Sequence, residues 1–376
     1  MNNISIYVHT PFCKHKCYYC DFASFANNED LINEYYKSLK KEIILRKDEI
    51  NSREISTVYF GGGTPSYVDS KYIVDIMDIL KSEFNINKDA EITIEANPES
   101  ITDEKLENYK IAGFNRISMG LQSANNDTLK KIGRIHTYEK FLSSYELCKS
   151  AGFDNINVDL MFSLPNETLN DFIDSLEEVI MISPSHISTY SLILEEGTKL
   201  YDNYRKNNII IDDTLDRKMY HYCINKLKEY DYEQYEISNF AKKGYESRHN
   251  MSCWDFEDYI GFGSNASGFN NNIRKTNKSN IKDYINDLNN DTLPIMEKTQ
   301  LNIKDLIGEY IMLGLRKIKG IDIDKINKKF NIDFTDTYKD KIENLKNHNL
   351  VTIEDNHFRL TYKGLDFANT VMVEFI

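Results

Sequence analysis

Tyr7-Val8-His9-Thr10-Pro11-Phe12-Cys13-Lys14-His15-Lys16-Cys17-Tyr18-Tyr19-Cys20-Asp21-Phe22 places three cysteines at the spacing C-x3-C-x2-C. Three thiolates on one short loop ligate three irons of a [4Fe-4S] cube and leave the fourth iron without a protein ligand. An open iron binds a substrate or cofactor, whereas a fourth cysteine would close the cluster for electron transfer alone. A zinc knuckle is the competing reading. It fits less well: structural zinc sites take four N or S ligands at paired short spacings, and here His9 or His15 would be a makeshift fourth.

Outward from this loop, short apolar runs alternate with amphipathic stretches up to about residue 240. Ile4–Val8, Thr57–Phe60, Glu91–Glu95, Arg116–Met119, Asn157–Met161 and His186–Ser191 read as strands, most of them rich in β-branched or aromatic residues. Glu29–Lys47, Ser70–Phe84, Asp103–Ala112, Asp127–Ile132, Tyr138–Ala151 and Leu169–Met181 read as helices between them. Repeated βα units imply parallel strands with right-handed crossovers, hence an α/β fold, a partial (β/α) barrel, spanning residues 1–269. Working residues in such barrels gather where strands end and loops begin.

The Asn-rich stretch from Asn270 to Asn290 is polar and turn-prone, so residues 270–300 read as a linker. Residues 301–376 read differently again. Leu301–Ile318, Ile323–Phe330 and Tyr338–His348 have helical patterns. Leu350–Ile353 and Phe358–Leu360 form a hairpin around Asp355-Asn356, and a last helix runs from about Thr361 to Glu374. This is a winged-helix-like α+β module. Its Lys residues are interspersed with Glu and Asp, which favours packing or partner binding over DNA.

Composition narrows the function classes. The chain has 376 residues, 41% hydrophobic, and a formal charge of −13. The charge argues against non-specific nucleic-acid binding, and no nucleic-acid partner is expected. No run of about 18 apolar residues occurs, and the N-terminus lacks a basic region followed by an apolar stretch. Of six cysteines, Cys148, Cys223 and Cys253 are scattered, which is no disulfide framework. A cytoplasmic location is expected.

Most of the further motifs fall just after or within a strand. Gly61-Gly62-Gly63-Thr64-Pro65 follows Thr57–Phe60, where glycines free backbone amides to approach an anion. Glu95 ends its strand in Glu-Ala-Asn-Pro-Glu; Gln122 follows Arg-Ile-Ser-Met-Gly-Leu; Arg134 lies in Gly-Arg-Ile-His-Thr; Asp159 lies in Asn-Val-Asp-Leu-Met. Singly, each is more often structural. Together they set two carboxylates, an amide and a guanidinium around one barrel mouth, and a bidentate guanidinium suits a carboxylate ligand.

The cysteine loop and the glycine run resemble those of the radical SAM enzymes. In that superfamily the open iron chelates S-adenosylmethionine (SAM), and one electron cleaves its sulfonium to a 5′-deoxyadenosyl radical. The longer strings, from Tyr7 to Leu360-Thr361-Tyr362-Lys363-Gly364-Leu365, resemble one branch: coproporphyrinogen dehydrogenase and its relative, the radical SAM haem chaperone. The resemblance implies cluster ligands Cys13, Cys17 and Cys20, with SAM contacts from Tyr7, Tyr19, Gly62, Gly63, Thr64, Glu95, Gln122, Arg134 and Asp159. The enzyme branch has a fourth cysteine two residues beyond the third; Phe22 stands there, which is the haem-chaperone pattern. The enzyme's long N-terminal extension is also not expected, since the loop begins almost at Met1.

Arg248-His249-Asn250-Met251-Ser252-Cys253-Trp254 resembles the haem chaperones' His-Asn-x-x-Tyr-Trp motif, with Cys253 in place of tyrosine. That likeness implies His249 as a haem ligand through its neutral imidazole. Cys253 is either a second ligand or a small filler, and filler is favoured. Gly261-Phe262-Gly263-Ser264-Asn265-Ala266-Ser267 departs from the Gly-Ala-His that relatives often carry there. The function so implied is delivery of haem to an acceptor protein by a SAM-ligated [4Fe-4S] protein. A flavodoxin- or ferredoxin-type electron donor is expected, and the acceptor can be membrane-associated. The competing function is oxidative decarboxylation of coproporphyrinogen. Whether the chain turns over a substrate is left open by the residues.

Overall fold

A computed structural model describes residues 3–376. All six expected strands form: β1 (Asn3–Thr10), β2 (Glu54–Gly62), β3 (Ile86–Ala96), β4 (Arg116–Gln122), β5 (Asn155–Phe162) and β6 (His186–Ser191). They pair in parallel in chain order, with helices between them. Short strands continue the sheet at both ends. β7 (Glu233–Glu236) and β8 (Asn239–Ala241) lie beyond β6. β9 (Tyr259–Phe262) pairs in parallel with β1, and β10 (Ser267–Asn270), β11 (Ile273–Asn277) and β12 (Ile295–Gln300) follow antiparallel.

The strand period of two explains why this barrel holds a site. Ile6, Val8, Val58, Phe60, Ile92, Ile94, Ile117, Met119, Ile156, Val158 and Ile187 share one buried core with Tyr35, Leu39, Ile43, Ile73, Ile76 and Leu80 of the covering helices. The alternate positions are polar: Ser5, Thr57, Glu91, Thr93, Arg116, Ser118, Asn157, His186 and Ser188 are all buried. Apolar side chains therefore face the helices, and the barrel interior carries the hydrogen-bonding groups. Barrels whose interior is a packed apolar core carry apolar residues on both faces of their strands instead.

The segment expected to be a linker, residues 270–300, is instead part of the barrel. It contributes β11, β12 and the helix Ile281–Asn289. Ile281, Tyr284, Ile285 and Leu288 recur at helical spacing and are buried in the main core. The buried Glu42 pins the segment: it accepts from Tyr284 Oη at 2.7 Å, Asn277 Nδ2 at 2.7 Å, the Gly263 amide at 2.8 Å and Arg46 Nη1 at 2.6 Å. Asparagine content made the stretch look like a loop, whereas the four apolar residues of its helix decide the packing.

The module after residue 301 has its own core, centred on Ile311, Leu315, Ile326, Phe334, Phe358 and Val371. Its small sheet places β15 (His357–Leu360) between β13 (Ile321–Asp322) and β14 (Val351–Glu354). Asp355 and Asn356 turn the hairpin with φ of 48° and 61°, as a two-residue type I′ turn requires. The expected last helix is two short ones, Tyr362–Asp366 and Ala368–Val373, interrupted at Phe367. Against the barrel, the Arg316 guanidinium lies 4.3 Å from the Trp254 ring centroid and 3.7 Å from the buried Glu236.

Candidate cofactor site at the barrel mouth

A cavity of about 560 Å³ opens at the C-terminal ends of the parallel strands. Eleven of the thirteen site residues expected from sequence line it: Cys13, Cys17, Cys20, Tyr19, Gly62, Gly63, Thr64, Glu95, Gln122, Arg134 and Asp159. Tyr7 and His249 do not.

The cysteine loop leaves β1 and folds back on itself. The Cys13 amide donates to the Phe25 carbonyl at 3.0 Å, and the Phe25 amide to the Pro11 carbonyl at 2.7 Å. The glycine run meets this loop closely. A Cβ on Gly63 would stand 2.8 Å from the Phe12 carbonyl oxygen and 3.0 Å from Cys13 Sγ. Gly62 has φ of 109°, and a Cβ there would clash with the His9 ring at 2.4 Å. Both positions therefore demand glycine.

Arg134 ties the loop to the barrel. Its Nη2 donates to Asn97 Oδ1 at 2.8 Å and the Gly120 carbonyl at 2.6 Å, and its Nη1 points at Cys17 Sγ at 3.7 Å. Its Nε has no hydrogen-bond partner. Burial pushes the Cys13 thiol up, and the Cys20 thiol to about 11. Ligation reverses this preference, because a coordinating thiol is deprotonated. Among the described residues no three ligating side chains stand close enough to hold a metal ion as they are. Three thiols on one wall, a Cβ-free cradle behind Cys13 and an arginine directed at Cys17 fit a thiolate-held, anionic cluster in their chemistry.

Opposite the loop, Glu95 accepts from Tyr59 Oη at 2.8 Å and the Gly62 amide at 3.1 Å. Burial, reinforced by the Asp159 charge, nevertheless raises its carboxyl to about 7. Asp159 is also shifted upward by burial, against the pull of its Asn157 Nδ2 hydrogen bond at 2.7 Å. Such carboxyls gain from a cationic or hydroxyl-bearing ligand. Gln122 ends β4 at φ of 75° and accepts from Tyr190 Oη at 3.1 Å. That backbone costs about 1–3 kcal/mol, and its place on the cavity wall suits a positioned amide.

Tyr7 and His249 stand behind Tyr59, which does line the cavity. The ring centroids lie 6.2 Å (Tyr7) and 4.9 Å (His249) from that of Tyr59, both stacked. Tyr7 Oη bonds His9 Nδ1 at 3.0 Å, and His249 Nδ1 bonds Thr57 Oγ1 at 2.7 Å. Burial, with Arg116 nearby, lowers His249 to about 3, so the imidazole is neutral. Glu91 caps the helix Arg248–Trp254 by accepting the Arg248 and His249 amides, each at 3.0 Å. Cys253 stays outside the cavity lining; burial raises its thiol to about 11.

Sequence reasoning missed Tyr59, Asn97, Arg116, Ser118, Asn157, Ser188 and Tyr190, all of which line the cavity. The signal was present in the alternation of the strands, whose inward positions these residues occupy, apart from Asn97 just after β3. A buried relay runs beneath them: His186 Nδ1 to Asn157 Oδ1 at 2.6 Å, and His186 Nε2 to Tyr235 Oη at 2.7 Å.

Comparison with known proteins agrees with this geometry. Residues 7–179 match the Radical SAM superfamily model, and residues 301–367 match the HemN C-terminal domain. The chain is 33% identical to the Heme chaperone HemW of Bacillus subtilis, over 99% of both chains. It is 34% identical to that of Lactococcus lactis, over 99% of this chain and 97% of the relative. Coproporphyrinogen III oxidase (HemN) from Escherichia coli, a solved structure, shares the fold with a TM-score of 0.88 at 23% identity, covering 99% of this chain and 89% of that one. With full-length likeness above 30% and a cysteine loop, glycine run and carboxylate wall around one cavity, the chain belongs to the HemW family within the radical SAM superfamily.

Proposed function

We propose that the protein is a haem chaperone that carries a [4Fe-4S] cluster on Cys13, Cys17 and Cys20, binds SAM beside it, and passes haem to an acceptor protein. The observation that carries this reading is the full-length likeness to relatives named as haem chaperones. Phe22 supports it. This residue takes the place where the oxidase branch has a fourth cysteine, and it is 59% exposed at the cavity mouth with Ile193 at 66%. Two exposed apolar side chains on a cavity rim offer a surface for a flat macrocycle.

The cluster, when bound, supplies an open iron for SAM and one electron to its sulfonium. The chain's own residues bind and orient. Arg134 holds the cluster loop against Asn97 and Gly120; Glu95, Asp159 and Gln122 receive SAM's polar groups; Tyr19 and Tyr59 wall off water. Tyr7 acts one layer back, through Tyr59 and His9. Lys14, His15 and Lys16 are exposed on the loop, a basic patch suited to an acidic flavodoxin- or ferredoxin-type donor on a protein of net charge −13. The acceptor, cytoplasmic or at the membrane, would meet the same rim.

Two histidines compete for the haem iron. His249 is the ligand that the motif implies, and it reaches a bound haem only by leaving Thr57 and Tyr59. His15 lines the mouth already. Anaerobic reconstitution followed by haem titration, with and without SAM, tests the reading through saturable Soret changes. Incubation with coproporphyrinogen, SAM and a reductant tests the alternative; protoporphyrinogen at enzyme-like rates would replace the chaperone reading with an oxygen-independent oxidase.

A further inference from the structure

Arg116 is a buried charged residue of this cavity for whose side chain no hydrogen bond or ion pair is found among the described residues. It begins β4, is 2% exposed, and lines the cavity six residues below Gln122. Its Nε has no hydrogen-bond partner, and among the described residues no carboxylate forms an ion pair with it. By contrast Arg134, the other cavity arginine, spends its Nη groups on Asn97, Gly120 and Cys17.

The carboxylates around Arg116 do not bond it. Glu95 and Asp159 feel its charge from beyond ion-pair distance, and each has hydrogen-bond donors of its own. His186 and His249 are held neutral by burial and by Arg116 itself. Tyr59 and Tyr235 stay protonated, burial raising both. A buried, unpaired guanidinium is among the costliest groups a fold can carry, and an anionic ligand with matching acceptor geometry removes that cost. The cavity above it is large enough for an organic molecule rather than a bare ion.

We propose that Arg116 is a carboxylate receptor at the floor of the cavity, pairing with a carboxylate of the organic ligand bound there. Two ligands of the proposed function bring that group: haem through a propionate, and SAM through its methionine end. The assignment rests on the haem and SAM reading only for the identity of the ligand; the receptor itself rests on burial, orientation and the missing partner.

The test uses the full chain with its cluster reconstituted, in wild-type, Arg116→Gln and Arg116→Lys forms. Each is titrated with haem, with haem dimethyl ester, whose propionates carry no charge, and with SAM. Loss of one charge-assisted pair predicts affinity roughly 10- to 100-fold weaker for the carboxylate-bearing ligand in Arg116→Gln, with a smaller loss in Arg116→Lys. If haem weakens while the diester binds as in wild type, the carboxylate is a propionate. If SAM alone weakens, it is the methionine carboxylate. Unchanged affinities for both overturn the proposal. Should Arg116→Gln fail to fold, Arg116→Lys with unaltered SAM affinity, together with wild type binding haem and its diester equally, overturns it as well. A wild type that binds no haem refutes the chaperone reading and leaves the SAM arm to decide on Arg116.

Discussion

Replacing Glu95 with glutamine should stabilise the apo protein, and more so as pH rises. The Glu95 carboxyl stands at about 7 in the fold against 4.5 ordinarily, because burial and Asp159 oppose its charge. Its folded value is the higher one, so its contribution favours the fold fully below about 4.5 and is lost as pH rises through about 7. The full difference corresponds to about 3 kcal/mol at about 1.36 kcal/mol per pH unit, of which about 2.5 kcal/mol falls between pH 5 and 8. The glutamine keeps the shape and an oxygen for the Gly62 amide, turns its NH2 to the Tyr59 hydroxyl, which can accept, and cannot ionise. Urea unfolding of both proteins at pH 5, 6, 7 and 8 reads the effect, together with its coupling to Asp159, as their difference. Expected is a gap that widens by about 2–3 kcal/mol in favour of Glu95→Gln across that range. A constant gap would refute the argument that the cavity wall disfavours a charged carboxylate. The same reasoning predicts that SAM, a cation, lets the carboxyl ionise, so wild type releases protons on binding near pH 6.5 and Glu95→Gln releases fewer.

Cys17→Ala should lose the cluster's broad visible absorbance and its bound iron while costing at most about 1 kcal/mol of apo stability, since Cys17 is only half-buried; iron retained at wild-type levels contradicts the cluster assignment. Tyr284→Phe removes the hydroxyl that holds Glu42 and should cost about 1.5–3 kcal/mol in chemical denaturation; an unchanged midpoint would mean that the 270–300 segment is not anchored as described. His249→Ala should cost about 2–4 kcal/mol through lost Tyr59 stacking and the Thr57 hydrogen bond. If His249 ligates haem, its Soret spectrum changes as well, whereas the same spectral change in His15→Ala alone assigns the iron to the mouth.

Much of this was legible before any coordinates. The cysteine spacing announces an open-site cluster, and the six short runs announce a parallel barrel, because most are rich in β-branched or aromatic residues and amphipathic stretches lie between them. Glu95, Gln122, Arg134 and Asp159 could be singled out because each sits within a distinctive string, Glu95 and Gln122 at or near a strand end, Asp159 within its strand and Arg134 in the loop between two helices. Arg116 had no distinctive string to mark it: at the head of Arg-Ile-Ser-Met it reads as a strand start, and only its alternation with Ile117 and Met119 places it on the inward face. Tyr7 and His249 carried motif-level signals, yet motifs record that a residue matters, not which layer it occupies; both stand behind Tyr59. The linker error has a different origin. Asparagine and lysine dominate residues 270–300 by number, but a helix is held by one face, and Ile281, Tyr284, Ile285 and Leu288 form that face.

The polar interior of the barrel divides each strand into two sets of residues with separate duties. Odd and even positions answer to different judges: the helix-facing side chains hold the chain together, while those facing inward are free of that task as long as their hydrogen bonds are met. A substitution series along β4 should therefore alternate. Changes at Ile117, Met119 and Leu121 would show up in unfolding curves, and changes at Ser118 and Gly120 chiefly in what the protein binds. A scaffold so arranged can exchange one ligand for another within a lineage without rebuilding its core, which offers a physical route by which a porphyrinogen-processing barrel and a haem-carrying one share a single fold.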